Sequence, residues 1–260
     1  MFPFNLPIQA VEGMLLVFSR VAGIFLSAPV LNSNRVPPQV KVGFAFLMAM
    51  VLYPIVGRDA AALPGDILPY GALVLKEAAV GISIGFVANL LFSAVQMAGE
   101  LADLQTGFAF ASLVDPFSGD RTSIVGQFQM MFAGLVFLGV DGHHVLLNGV
   151  ADSFRLLPLG NIAVDAHVAD GVMSICSRTL VIALQIGAPV IGAVLLGDIA
   201  LGLLARTVPQ LNILVLGFPI KMLLGLIILL LALPLSLAVE RNLVVLIKHA
   251  ITYMMSFAVH

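Results

Sequence analysis

Charge is what this sequence has least of. Only 10% of its 260 residues are Asp, Glu, Lys or Arg, against about 25% in an ordinary soluble domain. The shortage falls in long stretches. Between Arg121 and Asp141 there are 19 residues without a charge, which as a helix would reach roughly 28 Å, about the hydrocarbon thickness of a bilayer. Similar uncharged runs occupy Val42–Val56, Ala78–Gly99, Thr179–Gly197 and Met222–Val239, and Gly13–Leu31 is broken only by Arg20. With 60% of residues hydrophobic, there is too little charged surface to cover the apolar groups in water, so a freely soluble domain is excluded. Basic runs are absent too and the net charge is -2, which argues against nucleic acid as a partner. Cys176 is the only cysteine, so no intrachain disulfide can form and the thiol is expected to be a buried structural one. The first charge is Glu12. Without a positively charged leader the N-terminal apolar segment does not read as a cleavable signal peptide and is expected in the mature protein.

The apolar runs exceed strand length and do not alternate, which predicts helices; the ten-residue alternating segments of a membrane β-barrel are missing. Polar and proline clusters punctuate them at Asn32–Pro38, Gly57–Asp66, Asp115–Asp120 and Pro158–Asn161. No long linker or low-complexity stretch divides the chain, so residues 1–260 are expected to form a single membrane domain of all-α fold. A simple serpentine of six spans meets two difficulties. Its alternate loops hold five and six Lys or Arg residues, so the positive-inside rule chooses no orientation. Its fifth loop, Thr207–Pro219, is itself too apolar for water.

Polar groups inside these runs mark candidate sites. On a helix, Glu12, Ser19, Arg20 and Ser27 share about 100° of arc, facing either a protein interior or, at the helix ends, the membrane surface. His144, Asn148, Asp152 and Arg155, spaced by four, four and three, form a narrower stripe in which Asp152 and Arg155 can pair. The stripe suits helix packing or a water-facing surface. His143 points about 100° from His144 and the spacing matches no metal motif, so no metal site is expected. Asp198 interrupts an apolar stretch and needs a partner helix or a proton-accessible path. Gly81 and Gly85, Ala188 and Gly192, and Ala193 and Gly197 repeat the small-x-x-x-small spacing of close helix contacts. No G-x-S-x-G, H-E-x-x-H or phosphate loop is present, so neither enzymatic activity nor a cofactor is expected.

Several stretches in order carry a more specific signal: Arg20–Leu31, Val36–Gly43, Gly107–Pro116, Leu138–His144, Asp152–Gly160, Leu201–Arg206 and Pro209–Lys221. Through these the sequence resembles the FliR family, export-gate subunits of flagellar type III secretion whose injectisome relatives are called SctT. The resemblance implies an all-α fold of membrane-type helical hairpins with broken helices, stacked with FliP and FliQ around a pore for unfolded flagellar subunits. It further implies contacts with FlhB and FlhA, and a place in the inner membrane at the flagellar basal body. The loop matching the family's plug is Gly107–Asp120, with Gly107, Phe108, Phe110, Leu113, Val114, Asp115, Pro116, Phe117 and Gly119 as its candidate residues. His144, Asn148, Asp152, Arg155 and Asp198 are candidate assembly contacts. Pro209, Gln210, Asn212, Gly217, Pro219 and Lys221 form a C-terminal family motif. The alternatives are a virulence injectisome gate and a multi-pass secondary transporter.

Overall fold

The computed structural model describes residues 8–29, 36–56, 64, 66–110, 123–160, 167–208 and 213–256. Among the described residues seven helices follow in order: α1 (Ile8–Ser27), α2 (Pro38–Val56), α3 (Ile67–Thr106), α4 (Ile124–Gly139), α5 (Gly142–Leu156), α6 (His167–Thr207) and α7 (Ile213–Ser256). The described residues contain no strand. Five of these helices are long and apolar enough to cross a membrane, or six spans if α4 and α5 count as one broken span.

The run lengths read from charge are a poor guide to the helices. The uncharged run Ala78–Gly99 is only the middle of α3, which has 40 residues. At 1.5 Å per residue that is roughly 60 Å, about twice what a single bilayer crossing needs. The supposed fifth loop shrinks as well, because Ile213 to Pro219 belongs to α7. A helix bonds its backbone internally, whereas an open loop of such apolar residues would leave peptide groups unsatisfied. α6 continues through Pro189, and α7 through Pro219 and Pro234. A broken span does occur between α4 and α5, at Val140–Asp141, where Asp141 adopts a left-handed conformation (φ 57°).

Two compact units divide the chain: Met1–Leu90 with Asp141–Cys176 and Val244–His260, and Leu91–Val140 with Ser177–Leu243. In the first, α1 buries Leu16, Val17, Arg20, Val21, Ile24 and Phe25, the i, i+3, i+4 stripe of a core-facing helix. The stripe meets α3 across glycines. A methyl group at Gly23 would lie 2.6 Å from the Ala78 carbonyl oxygen, and one at Gly81 or Gly85 would collide with the backbone of α1. The G-x-x-x-G spacing is therefore a true close approach. On another side Phe18 and Phe25 meet Phe46 and Phe44 of α2 edge to face, with centroids 6.2 and 5.2 Å apart. α2 buries only Ala45, Ala49 and Leu52, leaving Phe44, Leu47, Met50 and Val51 exposed. Apolar surface of that extent belongs against lipid or another protein.

In the second unit the end of α3 packs with α4, α6 and α7 around Ala102, Val125, Val190, Val194 and Leu229. Phe92 of α3 meets Phe137 of α4 edge to face at 5.2 Å. Gly99 opposes Gly126, where an added methyl would overlap the facing backbone. Gly192, by contrast, faces open space, so the Ala188/Gly192 pair makes no close contact within the described chain. Cys176 is free and only partly buried, a departure from the buried structural thiol expected.

Candidate functional site: a pinned segment between two helices

Both flanks of the segment from Gly107 onward are fixed by the second unit. At its start, the Gly107 N–H donates to the Asp103 carbonyl (3.0 Å) and the Phe110 N–H to the Gly107 carbonyl (3.1 Å). Gly107 has φ 89°, in the left-handed region that residues with a Cβ avoid. A methyl there would also lie 2.9 Å from Cδ1 of Phe218. Phe110 completes the contact, edge to face with Phe218 at 5.0 Å between centroids.

At the far side Ser123 caps α4, its hydroxyl oxygen accepting from the Gly126 N–H at 2.7 Å. The buried Asp103 carboxylate of α3 accepts from the Val125 N–H at 3.2 and 3.4 Å. Asp103 thereby satisfies one of the orphan donors that every helix start leaves, and its negative charge suits the positive end of the helix dipole. The chain therefore leaves α3 and enters α4 beside one carboxylate. Next to this point lies an apolar cavity of about 240 Å³ lined in part by Thr106, Phe108, Phe128, Gly225 and Leu229.

Seven residues along α7 from Phe218, Gly225 packs against the Thr106 side chain. Lys221 forms an ion pair with Asp198 of α6, both side chains partly exposed. The carboxylate that interrupts the apolar run of α6 thus has its partner on α7.

In sequence the chain matches bacterial export proteins, family 1, over residues 11–246. It is 34% identical over 241 residues to the flagellar biosynthetic protein FliR of Bacillus subtilis strain 168, covering 92% of each chain. The chain belongs to the FliR family of bacterial export proteins. It is similar also to FliR of Pectobacterium carotovorum (33% identity, 84% of this chain and 83% of the relative). FliR of Escherichia coli K12 is 32% identical over 79% of this chain and 78% of the relative.

The FliR-like stretches Arg20–Leu31 and Asp152–Gly160 meet in the first unit around Arg20, whose partner Glu77 sequence reasoning missed. Arg20 is fully buried, and its Nε donates to Glu77 Oε2 at 2.6 Å. Nη1 donates to the Ser153 and Leu157 carbonyls at 3.0 and 2.9 Å, so the guanidinium serves the electronegative end of α5. It also stands 4.3 Å from the Phe154 ring centroid. Glu77 in turn accepts from the Gly160 N–H at 3.1 Å. Burial rules out the membrane-surface position for Arg20. Glu12 is not its partner; the Glu12 carbonyl accepts from the Tyr70 hydroxyl at 2.9 Å. The available clue was spacing: Glu77, Gly81 and Gly85 recur every four residues, so they line one face of α3.

The polar stripe lies on the opposite side of α5 from its buried face of Leu146, Gly149, Val150, Ser153 and Phe154. His144, Asn148 and Arg155 are exposed and Asp152 is partly so. Arg155 and Asp152 do approach, at 3.4 Å, but with side chains 79% and 44% exposed. Of the C-terminal motif, Gly217 is buried and Pro219 exposed within α7. Leu113, Val114, Asp115, Pro116, Phe117 and Gly119, with Pro209, Gln210 and Asn212, lie outside the described residues. The 100° separation of adjacent helical residues does not keep the two histidines apart: the rings of His143 and His144 stand 4.3 Å between centroids.

Proposed function

We propose that this chain is a subunit of the flagellar type III protein export gate in the bacterial inner membrane at the flagellar basal body. With FliP and FliQ it forms the pore for unfolded flagellar subunits, FlhB and FlhA being the adjoining components, and Gly107–Asp120 is the plug that closes the pore at rest. The observation that carries this reading is the pinning of both flanks of that segment, by Asp103 on Val125 and by Phe218 on Gly107 and Phe110.

A plug needs firm anchors, an apolar body and a contact weak enough to yield. Asp103 supplies the anchor. Phe108 and Phe110, with Leu113, Val114 and Phe117 in sequence, supply large apolar groups that exclude water and ions by dewetting a constriction. The Phe110–Phe218 contact is of the kind worth about 0.5–1.5 kcal/mol beyond area burial, small enough to break under an entering polypeptide. The cavity beside Phe108 offers room for displaced apolar side chains.

Exposed apolar residues such as Leu196, Leu203, Leu223 and Leu231 on α6 and α7, and the exposed stripe of α5, support burial against sister subunits. The flagellar names of the relatives favour flagellar over virulence cargo. Pairing of Asp198 with Lys221 accounts for that carboxylate without a transporter's ion path.

Deletion of residues 109–118 tests the plug. The gate should still assemble with its partner subunits, while small ions and dyes leak across the membrane. An assembled deletion variant as tight as the parent would overturn the assignment.

A further inference from the structure

At the start of α5 an aspartate stands where a helix cap belongs and does not cap. Asp141 occupies the N-cap position with φ 57° and ψ 30°, and its side chain accepts no bond from the helix N–H groups. A capping aspartate normally takes an extended conformation and satisfies the second or third N–H of the helix. A left-handed backbone is costly for a residue with a Cβ. The backbone is nonetheless fixed, because the Asp141 carbonyl accepts from the N–H groups of His144 (2.9 Å) and Val145 (3.3 Å). The carboxylate is turned instead toward His144, with Oδ1 3.5 Å from Nδ1, too long for a good hydrogen bond. His143 adds a second unmet requirement: its Nδ1 is buried with no hydrogen-bond partner, whereas buried ring nitrogens are ordinarily satisfied.

One donor atom from each of Asp141, His143 and His144 lies within 4.8 Å of the others. We infer that these three residues bind a divalent transition-metal ion of the zinc class. Bonds of 2.0–2.1 Å in a tetrahedral site set donors about 3.4 Å apart. Small side-chain rotations close the difference, since the His144 and Asp141 side chains are 65% and 73% exposed and free to turn. Two imidazoles and one carboxylate suit zinc, cobalt, nickel or copper, whereas calcium and magnesium call for oxygen donors. The positive end of the α5 dipole opposes a cation there, and the Asp141 charge offsets it. Three protein ligands leave a coordination position for water or for a donor from an adjoining subunit. This site is independent of the plug: Asp141, His143 and His144 belong to the first unit, the pinned segment to the second.

The test uses the full chain in complex with its partner subunits, purified without a polyhistidine tag. Titrated with Co²⁺, it should develop the visible absorption of a four- or five-coordinate cobalt site at one ion per chain, and Zn²⁺ should displace it. Asp141→Asn, His143→Ala and His144→Gln should each weaken binding by at least about tenfold. His249→Ala, at an exposed histidine of α7, should leave it unchanged. Helical circular dichroism and co-purification of the partners report folding, and the exposed His144 gives a readable variant even where His143→Ala fails to fold. Absence of the cobalt band, or a band unmoved by all three ligand variants, would overturn the site.

Discussion

Replacing Arg20 by methionine removes a charge that four groups of the first unit depend on. Glu77 would keep only the Gly160 N–H, and its carboxylate would stay fully buried without a counter-charge. The Ser153 and Leu157 carbonyls would lose the donor that now serves the end of α5. Breaking a buried ion pair from one side costs about 3–5 kcal/mol, because the remaining charge cannot return to water. That is a large part of the roughly 5–15 kcal/mol by which domains are stable. Removing both charges, as in Arg20→Met with Glu77→Leu, eliminates the stranded carboxylate. Such double replacements are often neutral, but here two carbonyls still lose a donor, and unsatisfied buried acceptors cost about 1–3 kcal/mol. The expected order is therefore parent, then double variant, then Arg20→Met. Denaturant-titrated unfolding in mild detergent, with abundance in the membrane as a second measure, reads that order directly. If Arg20→Met lies within about 1 kcal/mol of the parent, or the double variant is no better than the single, the pair is not what organises α1, α3 and α5.

Other outcomes follow from the same contacts. Asp103→Ala should strand the Val125 N–H, lower stability by about 1–3 kcal/mol and make the assembled gate leak dye, whereas Asp103→Asn, which keeps an acceptor oxygen, should leak less. Gly107→Ala meets both a left-handed backbone and the Phe218 ring, so it should cost about 1–3 kcal/mol and alter conductance; a silent variant would mean that Gly107 does not hold the start of the segment. Asp152→Ala breaks only an exposed pair, so the isolated chain should lose about 1 kcal/mol or less, and any larger loss in co-purification of partner subunits would place the stripe at an assembly face. Exchanging charges in Asp198→Lys with Lys221→Asp should restore abundance lost in either single variant; failure to rescue would mean that one of the two groups serves something other than its partner.

The scarcity of charge by itself determined that the chain is built from membrane-type helices, since no arrangement in water could cover so many apolar groups. The ordered family stretches likewise sufficed for the FliR resemblance, and three- and four-residue spacing showed which residues of α5 share a face. Helix length was not legible. Charge marks where a helix can meet solvent or a partner, not where it ends, and α3 runs past Glu77 and Asp103 because each finds its partner elsewhere in the fold. The partnership of Arg20 with Glu77, 57 positions apart, depends on glycines that let two helices approach, and one-helix periodicity carries no information about a second helix. The same holds for Phe218, whose position opposite Gly107 and Phe110 exists only once α3 and α7 have packed. The histidine pair taught the converse lesson. A helical wheel places Cβ directions, but two rings at a helix start can swing together, and only the folded backbone around Asp141 brings a carboxylate to join them.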